Sequence, residues 1–126
     1  MTTQTAAQLV QEAKCQIENL SPDQVQAELA AGAATLVDIR DAPERAQGCI
    51  AGAVHASRGM LEFYADPSSP AHKPELDPQR RVILHCASGG RSALVVLSLR
   101  ALGYVDVAHL DGGIKAWQAA GQPVEI

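Results

Sequence analysis

Aromatic side chains are scarce in this chain: one Phe, two Tyr and one Trp among 126 residues. The core must therefore be aliphatic, built from Ala, Val, Leu and Ile. Cysteines number three (Cys15, Cys49 and Cys86), widely spaced and with no C-x-x-C. An odd, scattered set excludes a disulfide framework and argues against a zinc site. Reduced thiols in a cytoplasmic compartment are the expectation. No Lys/Arg cluster offsets the formal charge of -4, which speaks against nucleic-acid binding. No apolar run approaches the roughly 18 residues of a membrane span. The opening MTTQTAAQLVQEAK lacks a basic n-region and an apolar h-region, so no secretory signal is expected there.

What is present fits one ordinary domain. Hydrophobic residues make up 47% and charged residues 19%, a folded composition and not a disordered one. Ala7, Leu9, Val10 and Ala13 predict an amphipathic N-terminal helix, read as an extension over residues 1–14 ahead of a domain over 15–126. A short strand is expected over 17–20. Ser21-Pro22-Asp23-Gln24 then carries a capping box with proline at the first helical position, so a helix should run to about Ala31 and stop at Gly32. Thr35–Arg40 reads as a buried strand, and Asp41 with Glu44 as a second helix start closing before Gly48. A strand over 52–56, a short helix over 58–65 and a proline-rich loop over 66–79 follow. Arg81–His85 is the best strand; Ser92–Leu102 is an apolar helix ended by Gly103. A strand over 105–110 and a helix over 113–120 complete the chain. Strands alternating with helices, the best of them continuous apolar runs, imply a parallel sheet covered on both faces. Ligands of such sheets bind beyond the carboxyl ends of the strands.

Cys86 sits at such an end, in His85-Cys86-Ala87-Ser88-Gly89-Gly90-Arg91-Ser92. The glycines permit a tight loop whose N–H groups turn inward as an anion nest. A helix from Ser92 adds the positive end of its dipole, and Arg91 a charge that does not titrate away. A free thiol of pKa about 8.5 is only a few per cent ionised at pH 7. Lowered to about 6, it would be roughly 90% thiolate, a nucleophile suited to a covalent sulfur intermediate. A lone cysteine is more often an inert core residue. The Gly-Gly-Arg that follows has no use in that role, and it singles out Cys86. Cys15 and Cys49 keep the inert, structural assignment.

HCASGGRS, followed by LGYVDVAHLDGGIKAWQAAGQPV and preceded by TLVDIRDAPERAQGCIAGAVHAS, closely resembles the rhodanese-like sulfurtransferases over most of residues 17–124. The resemblance implies an α/β fold, a five-stranded parallel sheet with helices on both faces. It implies that Cys86 takes a sulfane sulfur from a donor such as thiosulfate and passes it, from a persulfide, to cyanide or a thiol. Ala87, Ser88, Gly89, Gly90, Arg91 and Ser92 would form the backbone cradle, with Arg91 favouring an anionic donor. Asp38 and Arg40 match the family's acidic and basic pair and are expected to support the site from behind. The resemblance implies no metal or cofactor; the partners would be the small-molecule donor, the acceptor and conceivably a protein sulfur acceptor.

Cysteine phosphatases share a His-Cys strand end, a glycine-containing loop and an arginine, but place five residues between Cys and Arg where this chain has four. A shorter ring of amides suits a single sulfur better than a tetrahedral phosphate. A persulfide carrier or sensor is the non-enzymatic alternative; the intact Cys86 loop favours catalysis. Gly48-Cys49-Ile50 departs from the family's usual Gly-His-Ile, and a tolerated structural replacement is expected. Arg58 either lines the pocket entrance or is a solvated surface residue. His85 reads as a satisfied core histidine; His55, His72 and His109 show no ligand spacing. Trp117 reads as core packing. The loop over 66–79 is a plain connection or a cover for the pocket mouth.

Overall fold

The computed structural model describes residues 3–126. Five strands, β1 (Glu18–Leu20), β2 (Thr35–Asp38), β3 (Val54–His55), β4 (Val82–His85) and β5 (Val107–Leu110), form one sheet in the order β1-β5-β4-β2-β3. Every pairing is parallel. The helices are α1 (Ala6–Lys14), α2 (Pro22–Ala30), α3 (Ala42–Arg45), α4 (Leu61–Ala65), α5 (Gly90–Ala101) and α6 (Gly113–Ala119). A 3-10 turn, Arg58–Met60, leads into α4.

Alternation along the strands splits the core into two layers. Val37, Val82, Leu84 and Val107 point to one face and pack with Leu61, Val95, Val96 and Leu99 from α4 and α5. Leu36, Ile83, Ala108 and Leu110 point to the other and meet Val25 of α2 and Ile114 and Trp117 of α6. The central strands are buried on both faces, which is why they read as unbroken apolar runs.

The local start signals act as expected at α2, where the Ser21 hydroxyl accepts from the Gln24 amide and Gln24 Oε1 accepts from the Ser21 amide. Thr5 and Gln8 make the same reciprocal pair at α1. That helix lies against α5. Several expectations shift: β2 ends at Asp38 and not at Arg40, and β5 begins at Val107 and not at Val105. The strand expected over 52–56 contracts to two residues, because only Val54 and His55 find partners on β2. The helix expected from Ser92 begins at Gly90, because Gly89, at φ 96°, completes the turn earlier. The loop over 66–79 is tied down by Leu76, fully buried in the first core layer. No helix among the described residues is long and apolar enough to cross a membrane.

Candidate active site

The site is built where β4 ends. Cys86 follows the strand directly, and the chain turns through Ala87–Gly89 into α5. The first amides of a helix have no partner within it. Here the Ser92 N–H, in the first turn of α5, donates to Cys86 Sγ at 3.4 Å, and the Gly89 N–H donates at 3.1 Å. The Ser92 hydroxyl lies 3.6 Å from the sulfur. Burial alone would push the thiol pKa up. The Ser92 hydroxyl and the amides of Ser92, Gly89 and Ser88 outweigh it and hold the pKa below the ordinary thiol value.

Three of the expected cradle residues take other roles. Ala87 turns its carbonyl to α6, accepting from the Lys115 N–H at 3.1 Å, while the Cys86 carbonyl accepts from the Ile114 N–H at 2.9 Å. Gly90 is the first residue of α5 and packs near Val10 of α1. Ser88 is exposed, although its amide contributes to the sulfur's environment. Arg91 is already engaged: its guanidinium grips the Glu44 carboxylate through two bonds, at 2.7 and 2.8 Å. The lowering of the thiol pKa thus comes from amides and a hydroxyl, and the free charge expected of Arg91 is already paired. Glu44 had signalled only a helix start in the sequence; its second role was missed because its partner lies 47 residues away along the chain.

Cys86 is also more enclosed than the loop pattern suggests. It is 1% exposed and belongs to the aliphatic layer beneath α5. A cleft of about 260 Å³ opens beside it, lined by Arg40, Glu44, Ala87, Ile114 and Lys115 among others, with Cys86 itself just behind its wall.

Behind the loop, Asp38 and Arg40 form a buried pair. Arg40 Nε and Nη2 donate to the two carboxylate oxygens at 3.0 and 2.9 Å, and Nη2 also donates to the Gly48 carbonyl at 2.8 Å. Burial raises the Asp38 pKa, but its bonds to Arg40 and the nearby His85 ring bring it below the ordinary carboxylate value. His85 is not the satisfied core histidine expected. Its Nδ1 lies 3.2 Å from the Cys86 carbonyl, but Nε2 is buried without a hydrogen bond, 3.7 Å from Asp38 Oδ2. Burial holds its pKa down.

Arg58 is exposed; its N–H donates to the Ile39 carbonyl, which anchors it at the same sheet end as Cys86, and its side chain does not line the cleft. Cys49 is half-buried and exchanges backbone bonds with Glu125. Cys15, expected to be buried and inert, is exposed. Trp117 is core, with its Nε1–H donating to the Pro123 carbonyl. The loop over 66–79 contributes nothing to the cleft lining. Among the described residues no group of three or more His, Cys, Asp or Glu is placed to hold a metal ion.

Comparison with known proteins agrees with this architecture. The rhodanese-like domain model matches residues 21–120. A sulfurtransferase of Allochromatium vinosum is 36% identical over 89 residues, covering 71% of this chain and 76% of that one. The thiosulfate sulfurtransferase GlpE of Pseudomonas fluorescens is 33% identical over 114 residues, 88% of this chain and 93% of that one. A solved Rhodopseudomonas palustris protein of unknown function, described as a possible tyrosine phosphatase, superposes with a TM-score of 0.90 at 38% identity, over 99% of this chain and 97% of that one. The rhodanese-like domain of an Anabaena protein superposes at 0.72 with 28% identity, over 85% and 77%. With the parallel sheet, the cysteine at its carboxyl edge and these relatives in agreement, the chain belongs to the rhodanese-like family of sulfurtransferases.

Proposed function

We propose that this protein moves a sulfane sulfur from thiosulfate, or a related anionic donor, to a thiophilic acceptor through a persulfide on Cys86. The observation that carries this reading is the pair of amides that donate to one sulfur at the end of β4, with the Ser92 hydroxyl 3.6 Å from it. Such donors favour the thiolate, which attacks without a general base. The thiolate attacks the outer sulfur of thiosulfate; the new S–S bond forms as the bond to the sulfonate sulfur breaks, and sulfite leaves with the electron pair. Cyanide, a small thiol or a protein thiol then attacks the outer sulfur, and Cys86 departs as the thiolate. The Ser88, Gly89 and Ser92 amides face the reacting sulfur. Lys115 in the lining of the adjoining cleft supplies positive charge for an anionic donor, and Arg91 adds to it once it exchanges Glu44 for the donor. Asp38 and Arg40 support the loop from behind.

The test is to incubate the protein with thiosulfate, record its intact mass, then add cyanide and assay thiocyanate. One added sulfur on Cys86, removed by cyanide and absent in Cys86→Ser, is expected. Stable loading without turnover to cyanide or any small thiol would make the chain a persulfide carrier. The relative described as a possible tyrosine phosphatase motivates a parallel arm with an aryl phosphate. Hydrolysis there, with no sulfur uptake, would overturn the proposal.

A further inference from the structure

The Ser92 hydroxyl has one proton and faces His109, Cys86 and, at the longer distance of 3.4 Å, the Gly89 carbonyl. Cys86 Sγ lies 3.6 Å away on one side and His109 Nδ1 lies 2.9 Å away on the other. The far end of this array sets its direction. Asn19 Nδ2 donates to the carbonyls of Lys14 and Ile17 at 2.9 and 3.1 Å, so the atom Asn19 turns to His109 is its acceptor, Oδ1. His109 Nε2, 2.7 Å from that oxygen, therefore carries a proton. His109 is fully buried on β5, and burial lowers its pKa to about 4. The ring is neutral at physiological pH, its one proton is on Nε2, and Nδ1 is a bare lone pair. Ser92 Oγ–H then donates to Nδ1 at 2.9 Å, the shorter contact, in preference to the Gly89 carbonyl at 3.4 Å. With its proton engaged there, the hydroxyl can only accept from a Cys86 thiol.

Ionisation of the thiol reverses that arrangement. A thiolate accepts only, and a hydrogen bond to an ionised acceptor is roughly twice as strong as a neutral one. The hydroxyl gains by turning to the sulfur, but His109 Nδ1 then loses its donor in a buried site. The neighbouring charges do not decide the matter. Asp111 favours a proton on His109 and Lys14 of α1 opposes it, and the two pair with each other at 2.8 Å. On β4, the register partner of His109 is Leu84, which carries no charge. At the sulfur end, Arg91 is held by Glu44 and burial lowers the pKa of His85.

We propose that His109, held by Asn19, is a positioning residue that makes the Ser92 hydroxyl a charge-responsive donor to Cys86. The hydroxyl faces the imidazole while the sulfur is neutral, as thiol or persulfide, and turns to the sulfur when the thiolate forms. This rests on Cys86 being the reacting sulfur. In the second half-reaction the S–S bond breaks, its electron pair stays on Sγ, and the hydroxyl rotates to meet the new charge. No bond to Ser92 or His109 is made or broken. His109 thereby moderates the resting thiol, while Ser92 stabilises the departing thiolate.

The experiment follows alkylation of the Cys86 peptide by iodoacetamide as a function of pH, resolved from Cys15 and Cys49 by mass spectrometry. In His109→Leu the thiol should titrate about 0.7 pH unit below wild type, the worth of one ordinary hydrogen bond. Ser92→Ala should titrate above wild type, and adding His109→Leu to it should change nothing further. His109→Asn, whose amide oxygen can replace Nδ1 as acceptor, should return toward wild type. A merely structural His109 would show no such dependence on Ser92. Titration of His109→Leu at or above wild type, or a downward shift that survives in Ser92→Ala, overturns the proposal. Nitrogen NMR of wild-type protein provides a reading that needs no variant. The His109 proton should be on Nε2, and the Nδ1 resonance should move as Cys86 ionises; a proton on Nδ1, or an unmoved resonance, overturns it equally. None of these readings uses thiosulfate, so failure of sulfur transfer would sink the proposed activity and leave this inference standing.

Discussion

Removing Arg40 tests whether the site rests on a buried ion pair or on an incidental surface contact. Asp38 is 0% exposed and Arg40 4%. In Arg40→Met the carboxylate keeps only Arg45 Nε at 3.8 Å, His85 Nε2 at 3.7 Å and the backbone amide of residue 40. Breaking a buried pair on one side costs about 3–5 kcal/mol, because the remaining charge stays desolvated. The residual Arg45 cation and the backbone amide place the expectation at the lower end, about 3 kcal/mol at neutral pH, or a fall in Tm of roughly 12 °C for a domain of this size. The Gly48 carbonyl also loses its donor, so α3, which carries Glu44 to Arg91, should loosen with it.

The pH dependence discriminates further. In the wild type the Asp38 pKa is below its ordinary 3.8, so its contribution is present above that pH and is lost as pH falls below it. Without Arg40, burial dominates and the folded-state pKa rises above 3.8. Such a group costs stability at neutral pH and stops costing it once protonated. The gap between wild type and Arg40→Met should therefore narrow on acidification from pH 7 toward 4. Adding Asp38→Asn to Arg40→Met should recover part of the loss, since it removes the stranded charge. Urea unfolding followed by circular dichroism measures all of these. A single-variant cost below about 1 kcal/mol, the range of exposed pairs, would refute the reasoning, as would a gap that does not change with pH.

Three other variants probe separate features. A Cβ on Gly113, at φ 63°, would lie 2.6 Å from the carbonyl oxygens of Cys86 and Ala87, so Gly113→Ala should cost about 3 kcal/mol and abolish sulfur loading, read by urea midpoint and intact mass; a wild-type midpoint would contradict the packing. The bonds from Arg91 hold the Glu44 pKa at about 2, so the pair should persist as pH falls through 4.5 and be lost only toward about 2; carbon NMR showing a Glu44 midpoint near 4.5 would mean the pair does not form in solution. Tyr104 donates to the buried Ala65 carbonyl at 2.7 Å, so Tyr104→Phe should lower stability by about 1–2 kcal/mol with sulfur loading unchanged, and an unchanged unfolding midpoint would count against that bond.

Much of this architecture was legible because its signals are local. The Ser21-Pro22-Gln24 start of α2 lies within four residues, and the glycines after α5 and α6 sit where the chain turns left-handed, at φ 93° and 81°. Cys86 was legible for the same reason: strand end, glycine turn and helix start are consecutive. What escaped is non-local. The partner of Arg91 is 47 residues away in sequence, and His109 reaches Ser92 only because α5 lies over β5 on the face to which alternate β5 residues point. Arg91 beside a glycine loop reads as a free cation until the fold brings Glu44 against it. Nothing in a linear pattern shows that a loop built to attract anions has its sulfur roofed over.

The roofing and the activation have one origin. A loop peptide has two polar ends, and an amide can face the sulfur only if the carbonyls find partners elsewhere. Helix α6 provides them: the Ile114 and Lys115 amides, in its first turn and lacking intrahelical acceptors, take the carbonyls of Cys86 and Ala87. This sorts the loop, with carbonyls bound outward to α6 and the Gly89 and Ser92 amides free for Sγ. Close approach of α6 is required, and Gly113 permits it, since a Cβ there would strike the Cys86 and Ala87 carbonyls; a Cβ on Gly89 would in turn meet the Gly112 amide nitrogen at 2.9 Å. Gly113, the first residue of α6, is thus as much a part of the sulfur site as the Gly-Gly pair after Cys86. The same close packing that aims the amides leaves Cys86 1% exposed, so entry of a donor from the cleft at Ala87 and ionisation of the sulfur depend on one piece of backbone.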